Sequence, residues 1–82
     1  MLNGKLNRGD LVKLPQGVVT YKKASVSDTS EYQLIYAESI EKPSIAIFIE
    51  HFTDNVSKLY FEDRIRYVYT EWLYEVGAEN AC

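Results

Sequence analysis

Cysteine and histidine are almost missing from this sequence, which excludes several kinds of site. Cys82 is the only cysteine among 82 residues, so no internal disulfide can form and folding does not depend on an oxidising compartment. A structural zinc site generally takes four cysteine or histidine ligands, and the chain has one of each. Carboxylate pairs such as Glu62-Asp63 and Glu38-Glu41 lack the loop pattern of a calcium site. We therefore expect no metal ion.

Glycine is also scarce, and its distribution argues against a phosphate-binding loop. The four glycines, Gly4, Gly9, Gly17 and Gly77, are scattered singly. A phosphate-binding loop instead clusters its glycines, so that backbone N–H groups can approach the phosphate. We therefore expect no nucleotide and no other cofactor.

The single histidine offers little for catalysis. Glu50 precedes His51 and Asp54 follows three residues later, so a base with an orienting carboxylate can be sketched. A nucleophile is missing, because Cys82 lies at the chain end and the serines cluster in one polar segment. Triads are assembled in space, so the sequence does not exclude one. An exposed histidine at a strand exit is the favoured interpretation, and we expect no enzyme.

Long apolar runs are absent too. No stretch approaches the roughly 20 apolar residues that span a membrane. Lys5 and Arg8 are followed at once by polar and charged positions, which is not the pattern of a signal peptide. We expect a cytoplasmic protein.

Charge of one sign dominates, but unevenly. Residues 1–23 hold five bases against one acid, a net +4, and residues 24–82 hold four bases against eleven acids, a net −7. The acidic total of −3 argues against tight non-specific binding to nucleic acid, which needs many phosphate contacts. The N-terminal bases keep a local nucleic-acid site open as an alternative to simple solvation of edge strands. They are Lys5, Arg8, Lys13, Lys22 and Lys23.

The residues that are abundant indicate a folded, strand-rich chain. Apolar residues make up 46% and aromatics 13%, including seven tyrosines, which is too many for a solvated disordered chain. Aromatic and β-branched residues fit pleated, half-buried surfaces. A length of 82 residues corresponds to a single domain, so residues 1–82 are expected to form one small β-barrel domain with 77–82 as a frayed tail.

Turn residues divide the chain into short segments. Pro15-Gln16-Gly17 predicts a bend between strands at 11–14 and 18–21. The small polar residues from 22 to 30 predict a surface loop. Alternation over 31–37 predicts a strand, with a helix over 30–41 as the alternative. The apolar run Ile45–Ile49 is typical of a central strand that is covered on both faces.

The C-terminal half predicts a hairpin between segments 56–61 and 65–69. With Asp63-Arg64 as the turn, we expect Phe61 to lie opposite Arg66, Tyr60 opposite Tyr67 and Leu59 opposite Val68. The two faces that follow from side-chain alternation are Leu59, Phe61 and Val68 on one side, and Lys58, Tyr60, Ile65, Tyr67 and Tyr69 on the other. Thr70-Glu71-Trp72 predicts one short turn before a last strand over 73–76.

Five to six short antiparallel strands favour a small barrel, because closing the sheet removes exposed edges. The segment Gly9-Asp10-Leu11-Val12-Lys13-Leu14-Pro15 resembles the start of the first strand in SH3-like small barrel proteins. Together with Ile45–Ile49, Tyr60–Tyr69 and Tyr74-Glu75-Val76, it is similar to short proteins encoded by tailed cyanophages. The resemblance covers about half of the chain. It implies an SH3-like barrel and a viral origin with the host cytoplasm as location, and nothing catalytic.

The predicted hairpin carries the candidate binding residues. Tyrosine is enriched at protein interfaces, so Tyr60, Tyr67, Tyr69 and Ile65 are a candidate partner-binding stripe if they are exposed. The alternative is that the stripe packs under 22–43 or the last strand. Trp72 is expected to plug the barrel. The favoured function is a non-enzymatic interaction module with a protein partner, and the alternative is a nucleic-acid-binding barrel in which aromatics and lysines hold a single strand.

Overall fold

A computed structural model describes residues 6–29 and 31–76, and these residues form seven strands and one short 3-10 helix. The strands are β1 (Leu11–Leu14), β2 (Val19–Val26), β3 (Tyr32–Ser39), β4 (Ser44–His51), β5 (Val56–Phe61), β6 (Arg64–Tyr69) and β7 (Tyr74–Glu75). The 3-10 helix Thr70–Trp72 stands at the predicted short turn. No α-helix occurs in the described ranges, which confirms the all-β prediction and excludes the helical alternative for 30–41.

All seven strands belong to one antiparallel sheet in the order β3-β2-β6-β5-β4-β1-β7. Within the described residues β3 pairs only with β2 and β7 pairs only with β1, so the sheet is open at both edges. The predicted closure into an SH3-like barrel is therefore not confirmed. The described residues form seven strands rather than the predicted five to six, and the two-residue strand β7 is the shortest of them.

The core lies on one face of the sheet, which we call the inner face. Side chains alternate between the two faces along a strand, and the residues of β1, β4, β5 and β6 that reach the inner face are the buried ones. The pairs Val12 with Ala46 and Phe48 with Leu59 lie directly opposite each other across neighbouring strands. The core cluster on this face consists of Val12, Leu14, Val18, Ile40, Ala46, Phe48, Leu59, Val68 and Leu73.

The bend after β1 is the predicted one. Val18 N–H donates to the carbonyl of Pro15 at 3.2 Å, and Gly17 has a φ of 91°, which glycine adopts without the steric cost that a Cβ brings. Gly17 N–H also donates to the carbonyl of Ile40, and Ile40 N–H donates to Val18. These bonds bring Ile40 over the inner face, where it is buried.

The prediction of a surface loop over 22–30 is wrong for most of its length. β2 continues to Val26, and its register with β3 runs from Val19 opposite Ser39 to Val26 opposite Tyr32. The lysine, alanine and serine residues of this segment have weak strand propensity, but propensity yields to the pairing context. Backbone hydrogen bonds to β3 therefore hold the segment extended.

The hairpin of β5 and β6 is present, but its predicted register is wrong by two residues. Phe61 lies opposite Arg64 and Tyr60 opposite Ile65, so the turn consists of Glu62 and Asp63. Both turn residues have a positive φ, 52° and 64°, as the tight type I′ hairpin turn requires. A shift of two residues leaves every side chain on its predicted face.

The prediction that Ile45–Ile49 is covered on both faces is also wrong. Ala46 and Phe48 are 2% exposed, whereas Ile45 is 52% and Ile47 is 40% exposed. The strand is central, with β1 on one side and β5 on the other, but nothing in the described part of the chain packs over its second face. A register irregularity between Phe48 and Glu50 ends the regular alternation.

Some predictions fall on residues outside the described ranges, namely the frayed tail 77–82 and Lys5. Among residues 6–29 and 31–76, no helix is long and apolar enough to cross a membrane.

Candidate functional site

Four apolar side chains lie side by side across four neighbouring strands, on the face opposite to the core. Leu11 is paired with Ile47, Ile47 with Tyr60, and Tyr60 with Ile65. Directly paired residues point to the same face of a sheet, with Cβ atoms about 4.5–5.5 Å apart. The row therefore runs without interruption from β1 through β4 and β5 to β6.

A second row lies two residues further along the same strands. Lys13 is paired with Ile45 on one side and with Tyr74 on the other. Lys13 stands between the buried residues Val12 and Leu14, so its side chain and those of its two partners lie on the outer face. Ile45 and Tyr74 therefore lie beside the row that runs from Leu11 to Ile65.

Together these residues form a largely apolar surface, in which Lys13 lies between Ile45 and Tyr74. We call it the outer apolar face: Leu11, Ile45, Ile47, Tyr60, Ile65 and Tyr74. Each of the six is between 37% and 52% exposed. At the areas that aliphatic and aromatic side chains bury, this exposure amounts to roughly 500 Å² of surface. The largest apolar patch on an ordinary monomer is ~300–600 Å² and often functional, so the outer apolar face is at the upper end of that range.

The predicted tyrosine stripe is divided by the structure. Tyr60 and Ile65 are exposed and belong to the outer apolar face. Tyr67 and Tyr69 are half-buried: the Tyr67 ring lies 5.3 Å from that of Phe52, and the Tyr69 ring lies 6.2 Å from that of Tyr21. These edge-to-face contacts make the second half of the stripe part of a packed aromatic cluster.

The aromatic cluster also contains a residue of the 22–43 segment. The Tyr32 ring lies 6.1 Å from that of Phe52. Desolvation by burial, together with the neighbouring Tyr32 and Tyr21 hydroxyls, raises the pKa of Tyr69 above its ordinary value of 10.0. The alternative weighed from the sequence, a stripe packed under the 22–43 segment, therefore describes Tyr69 and not Tyr60.

Tyr60 has a specific acidic neighbour in the adjacent turn. Its hydroxyl donates to the Oδ1 atom of Asp63 at 3.2 Å. This hydrogen bond, and then the negative charge of Asp63, raise the pKa of Tyr60 above 10.0. The contact orients the phenol ring and places one carboxylate at the β5–β6 end of the outer apolar face.

A buried arginine on β6 belongs to the fold and not to this face. Arg66 is 5% exposed, and its guanidinium donates to Oε1 of Glu38 on β3 at 2.5 Å. The same hydrogen bond and the positive charge of Arg66 lower the pKa of Glu38 below its ordinary value of 4.5. The Nε atom of Arg66 is buried without a partner among the described residues. The pair ties β3 to β6 across β2.

The structure shows other contacts for His51 and Glu50 of the catalytic set sketched from the sequence, and Asp54 is exposed. His51 is exposed, and its ring lies 5.0 Å from that of Phe48. Glu50 contacts the cations of Arg8 at 3.6 Å and Lys58 at 3.8 Å. No group of three histidine, cysteine or acidic residues that could hold a metal ion occurs in residues 6–29 and 31–76.

The basic residues of the alternative nucleic-acid site are placed apart. Lys13 lies on β1, whereas Lys22 and Lys23 lie on β2, and β4, β5 and β6 separate these two strands in the sheet. This separation is one of strand order, because the tight bend over residues 15–18 joins the end of β1 directly to the start of β2. Adjacent residues of a strand also point to opposite faces, so Lys22 and Lys23 diverge. Arg8 pairs with Glu50. Lys22 and Lys23 therefore share no face of β2, and Arg8 has an acidic partner.

Trp72 does not plug a barrel. It is 50% exposed in the 3-10 helix, and the buried residue at this point of the chain is its neighbour Leu73, which is 0% exposed. The prediction is wrong because the helix turns the tryptophan outward and directs Leu73 into the core.

A shallow depression of about 310 Å³ lies at the free end of the β2–β3 hairpin. Its lining residues are Ser25, Val26, Ser27, Glu31, Tyr32 and Gln33. The lining offers one carboxylate and no histidine, lysine or cysteine, so it does not bring an acid and a base together.

Four members of the outer apolar face were missed by sequence reasoning: Leu11, Ile45, Ile47 and Tyr74. The isoleucines were assigned to a strand covered on both faces, and Leu11 to a strand whose neighbours were unknown. The pairing of β1 with β4 joins residues 30 to 36 positions apart, and no local pattern in the sequence encodes it. The available signal was the alternation of side chains along β4, which places Ile45 and Ile47 on the face opposite to Ala46 and Phe48.

Comparisons of the chain with protein-family models, curated proteins and solved structures found no match.

Proposed function

We propose that this chain is a non-enzymatic protein-interaction module that binds a protein partner through the outer apolar face. The observation that carries the proposal is the uninterrupted exposed row from Leu11 through Ile47 and Tyr60 to Ile65. Exposing so much apolar surface to water is unfavourable at about 25 cal/mol per Å². Covering it with a partner removes that cost, and large apolar patches with polar rims mark interaction sites.

The chemistry of the face and its rim supports a protein as the partner. Protein interfaces combine an apolar centre enriched in tyrosine with a polar rim. Here the centre holds Ile47 and Tyr60, while charges of both signs surround it, including Lys13, Lys58 and Asp63. A rim of mixed sign offers no uniform attraction to a phosphate backbone, which needs many cationic contacts.

We further propose a relation to SH3-like small barrels and a location in the cytoplasm of a host cell. The Gly9-Asp10 pair that carries the SH3-like resemblance directly precedes β1: Gly9 has a φ of 96°, its N–H donates to the carbonyl of Phe48, and Phe48 N–H donates to the carbonyl of Asp10 at 2.8 Å. The relation to SH3-like small barrels is proposed from the sequence resemblance. The resemblance to short cyanophage proteins makes an accessory protein acting in the host cytoplasm the setting that we propose.

Site-specific photo-crosslinking tests the proposal. A benzophenone amino acid replaces Ile47 in the centre of the face and, in a matched control chain, Val26 on the β2–β3 hairpin, which is 59% exposed. Both chains are irradiated in the producing cells, and adducts are analysed by mass. Protein adducts at position 47, with few at position 26, support a protein-binding face; an adduct with a second copy of the chain counts among them.

Two results would contradict the proposed function. The first is the absence of protein adducts at position 47 in a chain shown by circular dichroism to be folded. The second is equal adduct formation at positions 47 and 26, which would mean that exposure alone determines the yield.

A further inference from the structure

We infer that the protein bound by the outer apolar face is a second copy of this chain, in a face-to-face homodimer. The inference rests on the proposed function and names its partner. The twofold axis runs along the strands between β4 and β5, so that two sheets pack as the layers of a sandwich. Sheets in such packings are about 10 Å apart and aligned within about 30°.

The size of the face agrees with a dimer interface. A standard interface buries about 800 Å² per partner, and homodimer interfaces are about 65% apolar, which corresponds to roughly 500 Å² of apolar surface on each side. The exposed parts of the six side chains supply about this area. The face is thus large enough for a stable dimer without further apolar contacts.

The arrangement of the first row is compatible with twofold symmetry. An axis between β4 and β5 exchanges the β1 side of the row with the β6 side. It places Ile47 over the partner's Tyr60 and Leu11 over the partner's Ile65. In such an isologous interface each contact occurs twice, so four apolar residues per chain are covered by the same four.

Charges of opposite sign lie on the two sides of the axis. Lys13 lies on β1 between Ile45 and Tyr74, and the carboxylate of Asp63 lies in the β5–β6 turn, beside the Tyr60 hydroxyl. The axis brings the β1 side of one copy, which carries Lys13, towards the β6 side of the other, which adjoins the turn with Asp63, twice per dimer. Complementary charges at the rim of an interface fix its register and orientation.

The inference also accounts for the two-sided apolar composition of β4. Domains are generally built from two packed layers. A single sheet whose own core covers one face leaves its other face exposed. In the described residues the core covers the inner face of β4. A second copy covers the outer face, which makes β4 a strand buried on both sides in the dimer.

Sedimentation velocity at concentrations from about 1 µM to 1 mM, the range of moderate and weak dimers, tests the inference. Three purified chains are compared: wild type, Ile47→Glu in the centre of the face, and Val26→Glu as the exposed control. We expect a concentration-dependent dimer for wild type and Val26→Glu. Ile47→Glu buries two unpaired carboxylates per dimer and raises the dissociation constant at least 30-fold, about the loss of one central contact.

Ile45→Lys provides a second variant if Ile47→Glu impairs folding, because Ile45 is the more exposed of the two. A wild-type chain that sediments as a monomer at every concentration overturns the inference, as does a dimer that Ile47→Glu and Ile45→Lys leave intact. Neither result decides the proposed function. If the face binds a different protein, crosslinking at position 47 still gives an adduct, and the mass of that adduct differs from the mass of a crosslinked homodimer.

Discussion

Ile47 on β4 lies directly opposite Tyr60 on β5, in the middle of the outer apolar face. Their neighbours Phe48 and Leu59 are also opposite each other, but on the inner face, where both are buried. One pair of strands thus builds the centre of the core and the centre of the exposed surface. Substitutions on the inner face of these two strands should therefore affect folding, and substitutions on their outer face should affect binding.

Two aliphatic truncations should have very different effects on stability. Leu59→Ala removes a completely buried side chain and should lower the free energy of unfolding by about 2–5 kcal/mol through lost transfer energy and a cavity. Ile47→Ala should lower it by less than about 1 kcal/mol in the monomer, since Ile47 is exposed there. Urea denaturation at a concentration that keeps the chain monomeric measures both. Equal losses would mean that the outer face is covered within the chain.

The ion pair of Arg66 and Glu38 predicts a pH-dependent contribution to stability. Glu38→Gln leaves the buried guanidinium without its counter-charge, so its urea midpoint at pH 7 should be lower than that of wild type. The exposed carboxylate Glu41 lies three residues away, and Glu41→Gln is the matched control that should leave the midpoint unchanged.

The sign of the pH effect follows from the lowered pKa of Glu38. Its contribution is present above the ordinary carboxyl pKa of 4.5 and is lost as the pH falls through the lower value in the folded chain. The difference between wild type and Glu38→Gln should therefore shrink below pH 4.5. A difference that stays constant from pH 7 to pH 3 would show that the charge of Glu38 plays no part.

The contact between Tyr60 and Asp63 predicts an altered phenol titration. Asp63→Asn removes the negative charge, so the pKa of Tyr60 should move down toward 10.0. Because the folded pKa is raised, the neutral phenol stabilises the fold below pH 10, and this contribution is lost as the pH rises through the folded value. The Cζ chemical shift of Tyr60 in the NMR spectrum reports the titration directly. An identical curve in wild type and variant would contradict the contact.

The backbone conformation at two turns predicts that one substitution stabilises the fold and another destabilises it. Glu62 has a φ of 52° and Gly17 a φ of 91°. A residue with a Cβ costs about 1–2 kcal/mol in the left-handed region, so Glu62→Gly should stabilise by up to about 1 kcal/mol after the entropic cost of glycine. Gly17→Ala should destabilise by about 1 kcal/mol, although its Cβ would meet no atom within 4 Å. Thermal unfolding measures both, and a stabilising Gly17→Ala would exclude the positive φ.

Local patterns in the sequence predicted most of the strands and the faces of the hairpin. Tyr60 and Ile65 were placed on one face even though the register was wrong, because a two-residue shift preserves the alternation. The turn was misplaced because Glu62 and Asp63 are not the Asn-Gly type that usually marks a type I′ turn.

Long-range pairing was beyond these local patterns. The outer apolar face exists because β1 pairs with β4 and β4 with β5, and the period of β4 alone does not reveal which neighbours flank it. The burial of Tyr69 likewise depends on Tyr21 and Tyr32 from distant strands. The sequence supplied the residues of the site, and tertiary pairing decided which of them are exposed.

The central claim is that the outer apolar face binds a second copy of the chain. Its most direct test is an isotope-filtered NOE experiment on a mixture of labelled and unlabelled chains, which detects contacts between copies only. We expect intermolecular NOEs between the Ile47 methyl groups of one copy and the Tyr60 ring of the other, and between Leu11 and Ile65. The contradicting result is a spectrum at dimer-forming concentration without these NOEs, or one whose intermolecular contacts lie at the β3 edge.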